Sequence, residues 1–219
     1  MNWDWAVIFD NWSLFARGAE ITVALSFATM ALSIPCGLLL ALLRNSRSRL
    51  ARNIALLFVE FFRTTPVILL VYWVFYVLPV MSGPTLSEFG TAILALTLNV
   101  SAFNSETFRA GINSIRDGQI NAALSMGMSF TQTMRIVVLP QAVPRVLPAL
   151  ASTWVSLFKD TSLVSVIAVP ELTYVGLQLL SQTFRVLEIL TAIGVLYWLM
   201  GYPQAKLADW IHHRFRVVE

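Results

Sequence analysis

Long uncharged runs separated by short charged segments organise this chain. Residues 21–43 contain no Asp, Glu, Lys or Arg, about 34 Å of helix at 1.5 Å per residue, which matches the hydrocarbon core of a bilayer. Residues 54–80 form a second apolar stretch, interrupted by Glu60, Arg63 and Pro66. A third covers residues 89–108 and meets charge only at Glu106, and a fourth covers residues 140–158 if Arg145 snorkels to the interface. The fifth, residues 186–205, has Glu188 near one end and Tyr197 and Trp198 toward the other. Residues 161–184 are apolar but cut by Pro170 and Glu171 into pieces too short to cross, and they read as an outside-facing or re-entrant segment. The pattern predicts an all-α integral membrane protein with about five transmembrane helices in one domain covering residues 1–219.

Composition and charge add the orientation. Hydrophobic residues make up 57% of the 219 and charged residues 12%, about half the charged share of an ordinary soluble domain. Basic residues gather in alternate connections: Arg44, Arg47, Arg49 and Arg52 after the first span, Arg109, Arg116, Arg135 and Arg145 between the third and fourth, Lys206, Arg214 and Arg216 after the fifth. The opposite side has only Arg17, Lys159 and Arg185. Short cytoplasmic loops retain Lys and Arg, so the N-terminus is expected outside and the C-terminus inside. A sixth span would reverse the tail and break that rule. Trp3, Trp5 and Trp12 suit an outer interfacial belt, and no removed signal peptide is expected in residues 1–15.

Several function classes drop out. A net charge of +3 is too small to argue for nucleic acid. Cys36 is the one cysteine, and His212 and His213 stand together with no other ligand type near in sequence, so no metal site is expected. No phosphate loop, nucleophile elbow or His-Glu-x-x-His pair occurs, so no catalytic residues are assigned. If the protein pumps, another subunit hydrolyses the ATP. No internal repeat is visible, and an odd span count points to a second subunit for any symmetry.

The connection over residues 112–139 is the longest on the inside. Gly118 breaks the chain, residues 119–126 read as a short helix, Gly127 can stop it as a left-handed cap, and Ser129 can cap a helix from Phe130 to Leu139 and Pro140. Spacing alone leaves two readings, a structured connector or a knob that a partner's groove accepts.

The run Asn121-Ala122-Ala123, then Gly127, then Val137 and Leu139-Pro140 resembles the cytoplasmic EAA loop of binding-protein-dependent ABC importer permeases. Phe61-Phe62-Arg63-Thr64-Thr65-Pro66, Glu106-x-x-Arg109-x-Gly111-Ile112, Gly118-Gln119, Lys159-Asp160-Thr161-Ser162-Leu163 and Val169-Pro170-Glu171-Leu172 are similar to the polar amino acid branch of that family. The motifs cover about residues 13–209 and are specific as a set. The departure is Asn121, where the family pattern usually has Glu; an amide still donates and accepts hydrogen bonds but forms no salt bridge.

The resemblance implies a permease subunit in a bacterial inner membrane. It would work with two ATP-binding subunits, a second identical or homologous permease, a substrate-binding protein and an amino acid substrate, surrounded by lipid. ATP and Mg²⁺ would bind the partner and no cofactor this chain. It further implies a coupling helix over Gln119, Asn121, Ala122, Ala123 and Gly127, with Leu139 and Pro140 ending the motif. ATP-driven closure of the partner would draw the coupling helices together and open the cavity outward.

Intramembrane charge is costly and marks a pathway or a partner. Glu60 and Arg63 share a helical face at i and i+3 and can pair, and Glu106 and Arg109 repeat the spacing. They are either structural ion pairs or, for Glu60 and Arg63, one end of a substrate site. Asp160, Thr161 and Ser162 at a helix break supply an acceptor and hydroxyls suited to a zwitterion, or else an interfacial cap. Asn104, like Asn99, either lines the path or bonds across helices, and Glu188 reads as an interface residue. Two rivals remain on the residues alone. One is a secondary carrier or channel oligomer, which would transport without ATP; the other is a membrane enzyme, for which no nucleophile was found.

Overall fold

The computed structural model describes residues 3–46, 48–83 and 85–215. Arg47 and Arg216, counted in the charge pattern, lie outside the described residues. After a short helix α1 (Ala6–Asp10) come α2 (Trp12–Arg44), α3 (Arg49–Thr64), α4 (Val67–Tyr72), α5 (Leu78–Ser82), α6 (Glu88–Asn113), α7 (Asp117–Ser125), α8 (Phe130–Thr133), α9 (Leu139–Asp160), α10 (Leu172–Thr183) and α11 (Val186–Arg214). A 3₁₀ segment, Thr161–Ile167, continues α9, and π-helical turns join α4 to α5 and α8 to α9.

Among the described residues, Trp12–Arg44, Phe130–Ile167 and Val186–Arg214 are each long and apolar enough to cross a membrane, and Arg49–Thr64 with Val67–Met81 forms a fourth stretch bent by 108°. The second apolar stretch is therefore not one straight helix. At 26 residues α6 is also long enough, about 39 Å, but it is the polar centre of the bundle. It runs past residue 108 to Asn113, and α2 starts well before residue 21, because the charges that bounded the runs are paired or exposed at the helix ends. α11 likewise continues beyond residue 205 to Arg214.

Two prolines shape the bends. A proline lacks the N–H that the carbonyl four residues earlier needs and its ring crowds that carbonyl. The turns before Pro79 and Pro140 relax into π form over Trp73–Val77 and Met134–Val138. Pro140 consequently does not end a helix, as the spacing suggested: α8, the π turn and α9 run on as one rod.

α2 and α6 form the tightest seam. A side chain at Gly37 would place its Cβ 2.6 Å from Asn104 Cβ and 3.1 Å from the Ser101 carbonyl oxygen, so only glycine permits this approach. Asn104 is fully buried there and its Nδ2 donates to Ser33 Oγ at 3.1 Å. Leu25, Leu96, Val71 and Val164 pack around the seam, and a second apolar cluster joins Phe15, Leu172 and Ile189 of α2, α10 and α11.

Candidate functional site

Three places collect polar side chains. At the end of the bundle that carries Arg44 and Asn113, called the basic end here, Glu106 accepts hydrogen bonds from Arg44 and from Arg109 at 2.7 Å and forms an ion pair with Arg63 at 3.3 Å. The arginines come from α2, α3 and α6, so one carboxylate ties three helices. The expected Glu60–Arg63 pair does not form. Helical spacing brings the two to one face, but Arg63 turns to Glu106, and Glu60 is exposed without an ion pair among the described residues.

The break after α3 exposes carbonyls whose usual helical donors are missing. Pro66 cannot serve Phe62, and the Phe62 carbonyl accepts instead from Asn99 Nδ2 at 2.8 Å. Thr64 Oγ1 donates to the Glu60 carbonyl and Thr65 Oγ1 to the Phe61 carbonyl, both at 2.8 Å. The Thr-Thr-Pro run thus makes the bend; its hydroxyls add second donors to carbonyls of the last turn, the Phe61 carbonyl keeping the Thr65 N–H at 3.1 Å, while Asn99 serves the carbonyl that Pro66 cannot.

Beside the break lies a cavity of about 360 Å³ between α6 and α9, lined by Asn99, Phe103, Ser152, Thr153, Ser156 and Asp160 among others. Asp160 is half-buried and holds the only formal charge on its wall. Ser156 has a hydroxyl with no partner among the described residues, whereas Ser152 Oγ donates to the Pro148 carbonyl at 3.2 Å. Phe103 carries the Arg63 guanidinium 5.8 Å from its ring centroid, which places the cavity next to the arginine cluster.

Of the residues expected here, Asp160 and Asn99 line the cavity. Asn104 is sealed in the α2–α6 seam. Thr161 Oγ1 donates to the Phe158 carbonyl at 2.8 Å and Ser162 Oγ to the Lys159 carbonyl at 2.9 Å, so both hydroxyls close the end of α9. Ser152, Ser156 and Asp160 were legible as a set: at i, i+4 and i+8 they form one polar stripe on an apolar helix.

On the opposite side, Glu171 is fully buried and caps α10. It accepts from the backbone N–H groups of Thr173 and Tyr174 at 2.9 and 2.8 Å and from Tyr197 Oη at 2.8 Å. Glu188, in the first turn of α11, is buried too, accepting from the Asp4 backbone N–H at 3.0 Å, so it anchors the N-terminal segment. Trp3, Trp5 and Trp12 are exposed.

The connection between α6 and α9 stands out at the basic end as a knob. α7 begins at Asp117 and ends at Ser125, two residues before and one before the expected bounds. Gly127 then adopts φ +86°, its N–H bonds the Leu124 carbonyl, and the Met128 N–H bonds the Ala123 carbonyl. Ser129 and Gln132 form a reciprocal capping box on α8. Gln119, Asn121, Ala122 and Gly127 are exposed, beside Leu124, Met126 and Phe130; Met126 is 85% exposed. Ala123 is buried, and Ile120 of the same helix packs on a small core of Ile112, Ile115 and Val138 that holds the knob onto the bundle. Leu139 and Pro140 lie within the rod behind it. Among the described residues no three metal-ligating side chains converge.

Residues 33–217 match the family described as the binding-protein-dependent transport system inner membrane component. The chain is 34% identical over 219 residues, all of both proteins, to the glutamine transport system permease protein GlnP of Escherichia coli (strain K12). It is 40% identical over 157 residues, 72% of each, to the probable glutamine ABC transporter permease protein GlnP of Bacillus subtilis (strain 168). A chain in the crystal structure of an amino acid ABC transporter with histidines superposes with a TM-score of 0.88 at 30% identity, over 98% of this chain and 100% of that one.

Proposed function

Because the chain belongs to the family of binding-protein-dependent transport system inner membrane components, we propose that it is the membrane-spanning permease of an ATP-driven importer for polar amino acids, with glutamine the first substrate to test. The full-length likeness to amino acid permeases carries this reading. The chain is a multi-pass inner-membrane transport subunit working with ATP-binding and substrate-binding proteins. It is itself not a catalyst. Two copies, or one copy and a homologue, enclose the path, with two ATP-binding subunits at the basic end, which faces the cytoplasm. ATP and its Mg²⁺ belong to those subunits.

The exposed α7–Gly127–α8 knob is the element that the ATP-binding subunit grips. Its apolar Leu124, Met126 and Phe130 supply buried area, and Gln119 and Asn121 supply neutral hydrogen bonds where the family pattern has a charge. Ala123 and the rod behind it pass the motion to α9, whose other end carries Asp160. In the cavity the Asp160 carboxylate receives a substrate ammonium, and the Ser156 hydroxyl is free to donate to a carboxylate.

Reconstitution of this chain with its ATP-binding and substrate-binding proteins tests the assignment: uptake of glutamine must require ATP. Asp160→Ala is expected to lower uptake at least about tenfold with subunit assembly intact. Gly127→Val forces a branched side chain to φ +86° and is expected to leave ATPase activity uncoupled from transport. Uptake without ATP would hand the function to the carrier reading.

A further inference from the structure

α3 carries three distinct faces. Ala55 and Val59 are buried against the chain. Leu50, Ile54, Leu57 and Phe61 form a second row that is 72, 59, 71 and 58% exposed. Arg49, Arg52, Asn53, Glu60 and Arg63 fall in a third arc of about 100° at 3.6 residues per turn, which holds Leu56 as well. An upright helix wrapped in hydrocarbon has no use for the polar arc, and a helix in water has none for the exposed Leu and Phe row.

The bend that ends α3 reconciles the two. Arg63, near its far end, reaches Glu106, which also holds Arg44 at the end of α2, just before α3 begins. The end of α3 also meets α6 at Asn99, which donates to the Phe62 carbonyl, and the chain turns by 108° before α4 continues. So sharp a turn frees α3 from the direction of the span that follows, and lets it place one row toward acyl chains and one arc toward headgroups.

The charge on that arc selects the lipid. Arg44, Arg47, Arg49 and Arg52 follow one another with no Asp or Glu from residue 44 to residue 59. Arg49 and Arg52 are exposed and form no ion pair among the described residues. We infer that α3 is an interfacial arm that binds anionic phospholipid of the inner leaflet, its arginines on the phosphates and its Leu50–Phe61 row in the acyl layer. The arm holds the bend at Pro66, and with it the Asn99 wall of the cavity, at a fixed depth.

This rests on the proposed orientation of the basic end, but its test needs no transport, so the two can fail separately. In the assembled transporter, with Cys36→Ser to remove the native thiol, Leu50→Cys carries a fluorophore in phosphatidylcholine vesicles containing brominated phosphatidylglycerol or, in parallel, brominated phosphatidylcholine. The brominated anionic lipid is expected to quench about threefold more strongly, and Arg49→Gln with Arg52→Gln is expected to equalise the two. Equal quenching of the unsubstituted arm overturns the proposal, as does a preference that survives loss of both arginines. No quenching by either lipid also overturns it and assigns this face to a second copy of the chain.

Discussion

Glu171 at the start of α10 and Glu106 near the end of α6 each engage three donors, yet they build joints of different kinds. Two of the partners of Glu171 are backbone N–H groups of its own helix, and the third is Tyr197 of α11; the residue is wholly buried. Glu106 has only arginine side chains as partners, drawn from α2, α3 and α6, and its side chain is 20% exposed. Backbone donors cannot leave, so the Glu171 joint is fixed with the helix it caps. Long cationic side chains can exchange partners, so the Glu106 joint can loosen without any helix unfolding. The second lies beside the cavity, through Arg63 over the ring of Phe103 on its wall, where a transporter must move.

Substitutions can break this contrast. Glu171→Ala removes a cap and takes the acceptor from the part-buried Tyr197 hydroxyl, leaving it only Thr173 Oγ1, and is expected to lower stability by about 2 kcal/mol, read from the denaturation midpoint of the purified complex. A midpoint within error of the parent would show that the cap is dispensable. Glu106→Gln is expected to cost a smaller amount, about 1–2 kcal/mol at low salt, and the deficit should shrink as salt screens the half-exposed arginines. A deficit that ignores salt would mean the cluster is sealed from water and the contrast is false. Tyr197→Phe sharpens it: the loss should be about 1 kcal/mol and independent of salt. A salt-dependent loss there would make Glu171 resemble Glu106.

The sequence announced the places of the helices better than their partners. Uncharged runs locate α2, α9 and α11 because lipid demands them, but α6, shielded at the centre, is free to carry Asn99, Ser101, Asn104 and Ser105. Pro66 signals a break without giving its angle, since the angle depends on what α3 and α4 pack against. The i, i+3 rule put Glu60 beside Arg63 correctly and missed that Glu106 lies closer, because Arg44 and Glu106, 62 positions apart, meet only through the α2–α6 seam. Gly127 and Ser129 were legible as helix signals since caps are local. The cavity was half legible: the stripe of Ser152, Ser156 and Asp160 is in the sequence, whereas the apposition of Asn99 is a product of packing. Glu171 stood in plain view as a Pro-Glu break, and its place one residue before an apolar helix is the N-cap signal that identifies its role.

One contact bears on how the chain is made. The Leu172 N–H donates to Thr22 Oγ1 across 150 positions of sequence, so α2 enters the bilayer long before its partner exists. At about 5–20 residues per second of synthesis, the wait is roughly ten to thirty seconds. During it three of the four buried hydroxyls of α2 are not stranded, Thr29 being the exception. Thr22 donates to the Gly18 carbonyl at 3.0 Å, Ser26 to Val23 at 3.0 Å and Ser33 to Met30 at 3.1 Å, all within the helix itself. α2 is thus a self-contained insertion intermediate, and its polar face becomes an adhesive only when the later helices arrive.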